Sequence, residues 1–322
     1  MPVKNASPFL GASIKSILNQ TYENLEVWAV DDHSSDDSFE ILKKFNSIDS
    51  RINLLKNAGK GILSALNTAS VKIRGEYVCR MDADDLMIPE KLNWQVDILK
   101  KTGYNSICTG LVNYFREDGD VGKGFIAYQN WLNGLCQSQS HFEEIYKECV
   151  IASPSWLMHT KDFKSINGFE GLEYPEDYDF VFRLYQHHFK VVSTPEVVLQ
   201  WRDHPERASR NLAEYRDQTF FPMKVRRFLE LDRIDDLQLI LYGAGPKGKK
   251  LARELIKRGV DFCWVSGNPK KIGLDIYGKR IGHEELVKNN KNCQILVAIS
   301  SPAMKKEVEE NLQHSEGLYY FC

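Results

Sequence analysis

The sequence predicts an α/β protein built from two units. Up to about residue 110, short apolar segments alternate with segments whose apolar residues have helical spacing. Such alternation is typical of a mostly parallel sheet with helices on both faces. A second unit is indicated from Leu237, where a strand at 239–242, a glycine-rich turn and a helix at 249–257 follow one another. That order predicts a small doubly wound domain.

Each element of the first unit follows from its apolar pattern. Helices are predicted at 7–18, 38–45, 61–70 and 176–188, and strands at 25–30, 52–55, 76–81, 191–192 and 197–199. The opening Pro2-Val3-Lys4-Asn5 looks like the end of a strand whose beginning is missing, so we expect a truncated N-terminus. Residues 111–175 are less regular and predict a region that binds a second substrate.

The predicted domains are 1–210, a charged helical connector at 211–236, and 237–322. A length of 322 residues allows two domains. In the second unit, further buried strands are predicted at 262–265 and 295–299. The net charge of −2 argues against nucleic acid as a partner.

The cysteines and the hydropathy indicate a compartment. Seven cysteines lie scattered without a C-x-x-C pair, which predicts reduced thiols rather than disulfides or a zinc site. We find no apolar run long enough for a transmembrane segment and no signal peptide. We therefore expect a cytoplasmic protein and leave open peripheral contact with the inner face of the cell membrane.

The most informative segment is Met81-Asp82-Ala83-Asp84-Asp85, which follows an apolar strand-like run. Three carboxylates within four residues repel one another unless a cation lies against them. Mg²⁺ is usually held by one or two carboxylates together with substrate phosphates. The segment therefore predicts a seat for a metal–diphosphate complex. The alternative is a solvated acidic turn that caps the next helix.

A second acidic pair, Asp31-Asp32, also follows a predicted strand. In open α/β sheets, ligands bind outside the carboxyl ends of the strands. Both acidic clusters are expected at that edge, which supports a binding site there.

Residues 1 to about 210 resemble the family 2 glycosyltransferases, which adopt the GT-A nucleotide-diphospho-sugar transferase fold. The matching segments occur in that family's order: 2–5, 30–36, 61–67, 75–85, Gly168-Phe169, 176–179, and then Arg202, His204 and Ser209. This chain departs from the family by Lys4, where Tyr is usual, and by His33, where Gly is usual. Both departures affect the expected nucleotide pocket.

The resemblance implies a set of donor-binding residues. Asp84 would bind a divalent metal (Mn²⁺ or Mg²⁺), and Asp82 would hold the ribose or support the metal. Asp31 would face the nucleobase and Asp32 would brace the loop, although a helix cap also accounts for an Asp there. The remaining nucleotide-sugar contacts would be Pro2, Val3, Lys60, Arg80 and Arg202. For Lys60 and Arg80, a solvated surface charge is the alternative.

The resemblance also implies a catalytic pair, Glu176-Asp177. Asp177 would be the general base that deprotonates the acceptor hydroxyl, and a base opposite the leaving group implies inversion. Glu176 would orient it, or would simply be a favourable acid in a first helical turn. Arg202 and His204 would close over the diphosphate, and His204 would also approach the metal. An ordinary loop is the alternative for those two.

The glycine-rich turn of Gly243, Gly245 and Gly248 resembles that of small Rossmann-like domains attached to sugar-modifying enzymes. Dinucleotide binding requires an acid at the end of the next strand, and that end reads Val265-Ser266-Gly267-Asn268. A structural, regulatory or assembly role is therefore favoured for this domain.

The sequence thus predicts a metal-dependent, inverting glycosyltransferase. It would use a nucleotide-sugar donor, with UDP implied by the family, and a glycan or lipid-linked acceptor in cell-surface polysaccharide biosynthesis. One alternative is an NAD(P)-dependent sugar-modifying oxidoreductase or epimerase acting through the second domain. A sugar-nucleotide pyrophosphorylase is not favoured, because it needs a glycine- and arginine-rich phosphate loop near the start and this sequence lacks one. A non-catalytic nucleotide-sugar-binding scaffold is the remaining alternative.

Overall fold

A computed structural model describes residues 1–207, 210, 220–288, 292–299, 308 and 317–322. Two units are distinguished, one comprising residues 1–143 and 149–207, and the other residues 144–148 with the described part of 208–322. Ser209 and residues 211–219 of the predicted connector lie outside the described residues. Among the residues described, no helix has the length and apolar character needed to cross a bilayer.

The first unit contains eight strands in its described residues. They are β1 Pro2–Val3, β2 Val27–Asp31, β3 Ile52–Lys56, β4 Tyr77–Val78, β5 Leu86–Met87, β6 Ser106–Phe115, β7 Leu157–His159 and β8 Lys190–Arg202. The helices are α1 Ser7–Leu18, α2 Ser38–Ile48, α3 Ile62–Ser70, α4 Lys91–Thr102, α5 Lys123–Ser138, α6 Thr160–Ser165 and α7 Glu176–Gln186. A 3₁₀ turn at Ser153–Ser155 precedes β7.

These strands form two sheets. The first has the order β1-β2-β3 and is parallel throughout, with Val3 opposite Asp31. The second has the order β4-β7-β6-β8-β5 and is mixed, because β6 and β8 are parallel while the other pairs are antiparallel. The predicted strand 76–81 is therefore shorter than expected, and the chain after Val78 runs as a loop.

Two further differences from the sequence prediction concern β8 and α5. The two strands predicted around Pro195 form one long strand, and a register shift beside Gly110 of β6 accommodates the irregularity. Any side chain at position 110 would overlap Val198 and Thr194, so the close approach requires glycine. The helix α5 lies in the region predicted to be irregular.

The core of the first unit lies between its sheets and helices. Helix α1 begins beside Pro8, which suits a first turn, and buries the apolar stripe of Leu10, Ile14 and Ile17. Helix α4 contributes Val96 and Leu99 to the same core. The carboxyl ends of β2 and β4 are thereby held by packing, and the acidic segments follow these ends.

In its described residues, the second unit contains a six-stranded sheet in the order β11-β12-β10-β9-β13-β14. All its pairs are parallel except the short β11-β12 hairpin. Its elements are α8 Phe221–Leu231, β9 Gln238–Tyr242, α9 Pro246–Lys257, β10 Cys263–Ser266, β11 Asp275–Ile276, β12 Lys279–His283, α10 Glu285–Lys288, β13 Cys293–Val297 and β14 Leu318–Tyr320. The glycine-rich turn joins β9 to α9.

Candidate active site

The loop after β4 carries the acidic segment. Along this segment, buried and partly exposed residues alternate. Met81 and Ala83 are buried in the core, whereas Asp82 and Asp84 are partly exposed. The hydroxyl of Ser13 in α1 donates a hydrogen bond of 3.1 Å to the carbonyl oxygen of Asp82. The alternation of buried apolar and partly exposed acidic residues holds both carboxylates on an accessible side of the loop.

Arg80 joins this loop to helix α7. Its side chain is only 6% exposed. The Nε atom donates to Asp82 Oδ1 at 2.8 Å, and the Nη1 atom donates to Glu176 Oε1 at 2.8 Å. Glu176 is the first residue of α7 and is also buried. One buried guanidinium group therefore connects two carboxylates that come from distant parts of the chain.

Asp177 lies next to Glu176 and is half-buried. Its Oδ1 accepts the backbone N–H of Tyr178 at 2.8 Å, and its Oδ2 accepts the hydroxyl of Ser153 at 3.1 Å. Burial raises the pKa of Asp177 above its ordinary value, although the positive charge of Arg80 and both hydrogen bonds oppose the rise. A raised pKa makes this carboxylate a better proton acceptor near neutral pH.

Packing holds the start of α7 in place. Tyr178 and Phe180 on its first turns are buried, and Phe180 stacks on Trp156 with ring centroids 5.2 Å apart. Phe163 and Phe169 complete the aromatic cluster. Trp156 is therefore a core residue, and the acids of the first turn are oriented by the apolar face behind them.

The turn that carries Ser153 is braced from α4. Lys91 is fully buried and its Nζ donates to the carbonyl of Pro154 at 2.5 Å. Gln95 Nε2 donates to the carbonyl of Ser155 at 2.7 Å. No pattern in the sequence singled out Ser153, because its partner Asp177 is 24 positions away and the contact exists only after folding.

Asp84 belongs to a second group of contacts, with residues at the end of β8. His204 Nε2 lies 3.0 Å from Asp84 Oδ2, and Arg202 Nε donates to the Asp84 carbonyl at 2.7 Å. The backbone N–H of Arg202 donates to Asp85 Oδ1 at 2.8 Å. Burial raises the pKa of Asp84, but the hydrogen bond with His204 and the charge of Arg207 outweigh it, so the pKa falls below its ordinary value.

Arg202 is almost fully buried, so its role as a free phosphate contact requires rearrangement. Its guanidinium lies 4.6 Å from the ring centroid of Phe115 and 5.0 Å from that of Phe9, and it pairs with Glu117. The Phe9 ring also lies 4.4 Å from the His204 ring. In this structure Arg202 holds the acidic loop and the residues after β8 together.

The side chains at Asp84 offer ligand atoms that suit a divalent cation. A bound diphosphate would complete the coordination of that ion. Asp84 supplies carboxylate oxygen, and His204 supplies imidazole, whose Nδ1 atom is buried without a hydrogen-bond partner in the described structure. Within the described residues, no three or more Asp, Glu, His or Cys side chains cluster closely enough to hold a metal unaided. Mg²⁺ is usually bound in this way, by one or two protein ligands together with the phosphates of a substrate.

Asp31 and Asp32 form a separate network at the end of β2. Asp32 is buried and accepts hydrogen bonds from Asn57 Nδ2 at 2.6 Å, from the backbone N–H of Gly61 at 3.0 Å and from Lys4 Nζ at 3.3 Å. Burial raises its pKa, but these donors outweigh that effect and lower it. Asp32 therefore holds the loop between β3 and α3.

The remaining predicted nucleotide contacts surround this network. Asp31 is buried and accepts the backbone N–H of Ser34 at 3.4 Å. Pro2 and Val3 form β1 directly beside it, and Lys60 is exposed to solvent in the loop before α3. These positions lie around the carboxyl end of β2.

A cavity of about 610 Å³ opens elsewhere in the first unit. Val27 and Trp28 of β2 line one side and Tyr77 and Val78 of β4 line another. Arg80 also lines it, whereas Asp31, Asp82, Asp84 and Asp177 do not. The acidic site and this cavity are therefore different features.

In the second unit, Gly243 in the turn before α9 and Gly248 in the first turn of that helix approach each other closely. A Cβ atom at position 248 would lie 2.0 Å from the Gly243 carbonyl oxygen, whereas one at Gly245 would meet nothing. A carboxylate does lie near the end of β10: Glu284 is 2.4 Å from where a Cβ of Gly267 would be, and it accepts the Tyr242 hydroxyl. The sequence prediction missed it because Glu284 follows β12 rather than β10.

Comparison with known proteins identifies the family. The sequence model of the family described as Glycosyl transferase family 2 matches residues 1–166. An uncharacterized glycosyltransferase of Haemophilus influenzae is 29% identical over 64% of this chain and 64% of its own length. The Escherichia coli UDP-Glc:alpha-D-GlcNAc-diphosphoundecaprenol beta-1,3-glucosyltransferase WfgD is 40% identical over 40% of this chain and 50% of its own length. The chain thus spans less than two thirds of these curated relatives.

Solved structures support the fold. The mannosyltransferase PcManGT from Pyrobaculum calidifontis, solved with GDP-Man and Mn²⁺, superimposes with a TM-score of 0.51 at 17% identity, covering 79% of this chain and 68% of that one. The predicted α/β fold of the GT-A type is thereby confirmed. Because the family match covers just over half of the sequence, the chain belongs to glycosyl transferase family 2.

Proposed function

We propose that this protein transfers a sugar from a nucleoside-diphosphate donor to a hydroxyl group of a glycan or lipid-linked acceptor. The observation that carries the proposal is the contact between the acidic loop and α7, made by the buried side chain of Arg80. A transferase needs a site for a leaving diphosphate and a base for the attacking hydroxyl. The loop of Asp82 and Asp84 would serve the first, and Asp177 the second.

The donor would lie along the carboxyl ends of β2 and β4. Asp31, Pro2 and Val3 would contact the nucleobase, Asp82 the ribose, and Lys60 the phosphates. UDP is the proposed nucleotide, because the name of the 40%-identical relative specifies UDP-Glc. Arg80 and Arg202 would act from beneath the acidic loop, since both are buried in ion pairs.

A divalent cation, Mn²⁺ or Mg²⁺, would be held by Asp84 and His204, with Asp82 in support. Such an ion neutralises the charge that develops on a departing diphosphate. Arg202 holds Asp84 through the Asp84 carbonyl, so the carboxylate stays directed toward the site. His204 packs against Phe9, which fixes the plane of its ring.

Asp177 would accept the proton of the acceptor hydroxyl. As that O–H bond breaks, the oxygen forms a bond to the anomeric carbon, and the bond from that carbon to the diphosphate breaks with its electron pair leaving on the diphosphate. A single displacement of this kind inverts the anomeric configuration. Ser153 and the Tyr178 N–H hold the carboxylate in place, and Glu176 is held by Arg80.

The acceptor and the cellular setting are proposed from the relatives. The name of the Escherichia coli relative specifies a diphosphoundecaprenol-linked sugar as its acceptor. We therefore propose a role in cell-surface polysaccharide biosynthesis at the cytoplasmic side of a membrane. The seven cysteines, scattered without a C-x-x-C pair, suit a reducing compartment. A structural or assembly role is proposed for the second unit.

The test uses the purified chain with UDP-glucose, UDP-N-acetylglucosamine, UDP-galactose and GDP-mannose, with Mn²⁺, Mg²⁺ or EDTA. We expect metal-dependent release of the nucleoside diphosphate from at least one donor. Asp177→Asn should lower kcat on the order of 10²- to 10⁴-fold, the usual contribution of a general base. The exposed Asp97→Asn of α4 is the matched control and should leave kcat unchanged.

Binding separates the outcomes of that test. Asp177→Asn should still bind UDP with Mn²⁺, because the base contacts the acceptor rather than the nucleotide. UDP binding without turnover by the unaltered chain would support a scaffold and contradict the proposal. Full activity of Asp177→Asn would show that Asp177 is not the general base.

A further inference from the structure

The environment of Arg80 is unusual for a residue in a ligand-binding loop. The guanidinium is buried, and it makes two ion pairs of 2.8 Å with carboxylates 94 positions apart in the sequence. One partner, Asp82, is 24% exposed at the acidic loop, while the other, Glu176, is 5% exposed at the start of α7. The guanidinium thus connects an accessible carboxylate to the buried end of the helix.

We propose that Arg80 is a positioning residue that aligns the base Asp177 with the donor-binding loop, and does so through Glu176 without contacting substrate. This inference rests on the proposed function. The planar guanidinium presents its N–H groups in a rigid fork, so it can fix the distance and direction between two carboxylates at once. A lysine ammonium is a point charge on a flexible stem and lacks this geometry.

The position of Glu176 explains how the effect reaches the base. Glu176 begins α7 and Asp177 follows it, so a shift of Glu176 moves the carboxylate of Asp177 away from Ser153. Misplacement of a reacting group by about 1 Å can lower a rate on the order of 100-fold. The Nε atom of the same guanidinium is paired with Asp82, so it moves with the acidic loop. Donor binding at that loop is thereby coupled to the position of the base.

Arg80 also acts on Asp177 electrostatically. Its positive charge favours the ionised carboxylate, opposing burial and the negative charge of Asp82, which both raise the pKa of Asp177. The charged groups facing Asp177 are Arg80 and Asp82 from the loop and Glu176 from its own helix, and Ser153 faces it from the 3₁₀ turn. Removal of the Arg80 charge is therefore expected to move the acid limb of the rate profile to higher pH.

The test compares Arg80→Lys, Arg80→Gln and the double variant Arg80→Gln/Glu176→Gln, with Arg74→Lys and Arg74→Gln as matched controls. Arg74 also forms a two-point pair with one carboxylate, that of Glu26, but its side chain is 73% exposed. Metal-dependent hydrolysis of UDP-glucose, UDP-N-acetylglucosamine or GDP-mannose gives kcat across pH, and calorimetry gives the Kd of UDP with Mn²⁺. Circular dichroism verifies folding.

We expect Arg80→Lys to lower kcat on the order of 10- to 100-fold with the acid limb unmoved and the UDP Kd within about threefold. Arg80→Gln should also shift the acid limb to higher pH, and both Arg74 variants should match the unaltered chain. Should Arg80→Gln not fold, the double variant, which removes one buried charge of each sign, is expected to fold and to show the loss of kcat.

Two results would overturn the inference while leaving the proposed function in place. A folded Arg80→Lys or double variant with the unaltered kcat would show that Arg80 does not position the base. A large rise in the UDP Kd with kcat unchanged would make Arg80 a donor contact instead. Absence of turnover by the unaltered chain with every donor would overturn the proposed function, and this inference with it.

Discussion

The carboxylates of the first unit show how the surroundings of a residue determine its chemistry. Asp32 is buried but accepts hydrogen bonds from Asn57, Gly61 and Lys4, and its pKa is lowered. Within the described part of the chain, Asp177 accepts two hydrogen bonds, from Ser153 and Tyr178, and burial raises its pKa. Asp32 is therefore suited to holding a loop, whereas Asp177 is suited to accepting a proton.

The pH dependence of turnover follows from Asp177. A general base works only when ionised, so kcat should fall as the pH drops through the raised pKa of this carboxylate. Ser153→Ala removes a hydrogen bond that favours the ionised form, so the acid limb should move to still higher pH, with a several-fold lower kcat. Steady-state rates measured between pH 4 and 9 test both expectations.

Ser165→Ala provides the control for that substitution. Ser165 is an exposed residue whose hydroxyl donates to the carbonyl of Asp162 in its own helix, α6, rather than to Asp177. Its profile should coincide with that of the unaltered chain. If the acid limb of Ser153→Ala also coincides with that of the unaltered chain, the hydrogen bond from Ser153 does not affect the base in solution.

At the scale of elements, three segments carry the site and each is held by packing against a neighbour. The acidic loop is joined to α7 by Arg80, and α7 is anchored by its aromatic face. The turn of Ser153 is braced by Lys91 and Gln95 of α4. Rigid elements therefore hold the proposed catalytic groups, which favours accurate positioning.

The glycine-rich turn of the second unit gives a prediction about stability. Gly248→Ala places a methyl group 2.0 Å from the Gly243 carbonyl oxygen, so the backbone must shift. We expect a loss of about 1–3 kcal/mol in the free energy of unfolding, the usual cost of forcing extra atoms into a packed site. Chemical denaturation followed by circular dichroism measures it.

Gly245→Ser is the matched control in the same turn. Its added Cβ would meet no atom within 4 Å, and position 245 is the N-cap of α9 with an extended backbone, where serine is favoured. Its unfolding free energy should change by less than about 0.5 kcal/mol. Equal destabilisation by both substitutions would show that the close approach of residues 243 and 248 does not hold in solution.

For the whole molecule, the proposed donor site predicts linkage between ligand binding and stability. A ligand that binds only the native state stabilises it by about 2.7 kcal/mol at 100 times its Kd. UDP with Mn²⁺ should therefore raise the melting temperature, and UDP with EDTA should raise it much less. Asp84→Asn should remove the difference, because Asp84 is the proposed metal ligand. Thermal-shift measurements decide this.

The Asp97→Asn variant should keep the full response to UDP with Mn²⁺, since Asp97 is exposed on α4. An equal rise in melting temperature with Mn²⁺ and with EDTA would argue against a metal at Asp84 while leaving nucleotide binding in place.

Much of the fold could be predicted because local patterns specify it. The helix predicted at 7–18 is observed as α1, since Pro8 and a regular apolar stripe mark it. The strand predicted at 76–81 is shorter, because only Tyr77 and Val78 find partners, on β7. Helix α5 was missed because its aromatic, glycine and amide residues are weak evidence for a helix.

The sequence by itself determined the fold class, the family and the acidic segments, because these depend on periodicity and on motifs in a fixed order. Only the tertiary structure decided that Arg80 lies buried between Asp82 and Glu176, that Ser153 contacts Asp177, and that His204 meets Asp84. These contacts join residues 24 to 120 positions apart, apart from the short Arg80–Asp82 pair. Such pairing depends on how helices and strands pack, and no local pattern encodes it.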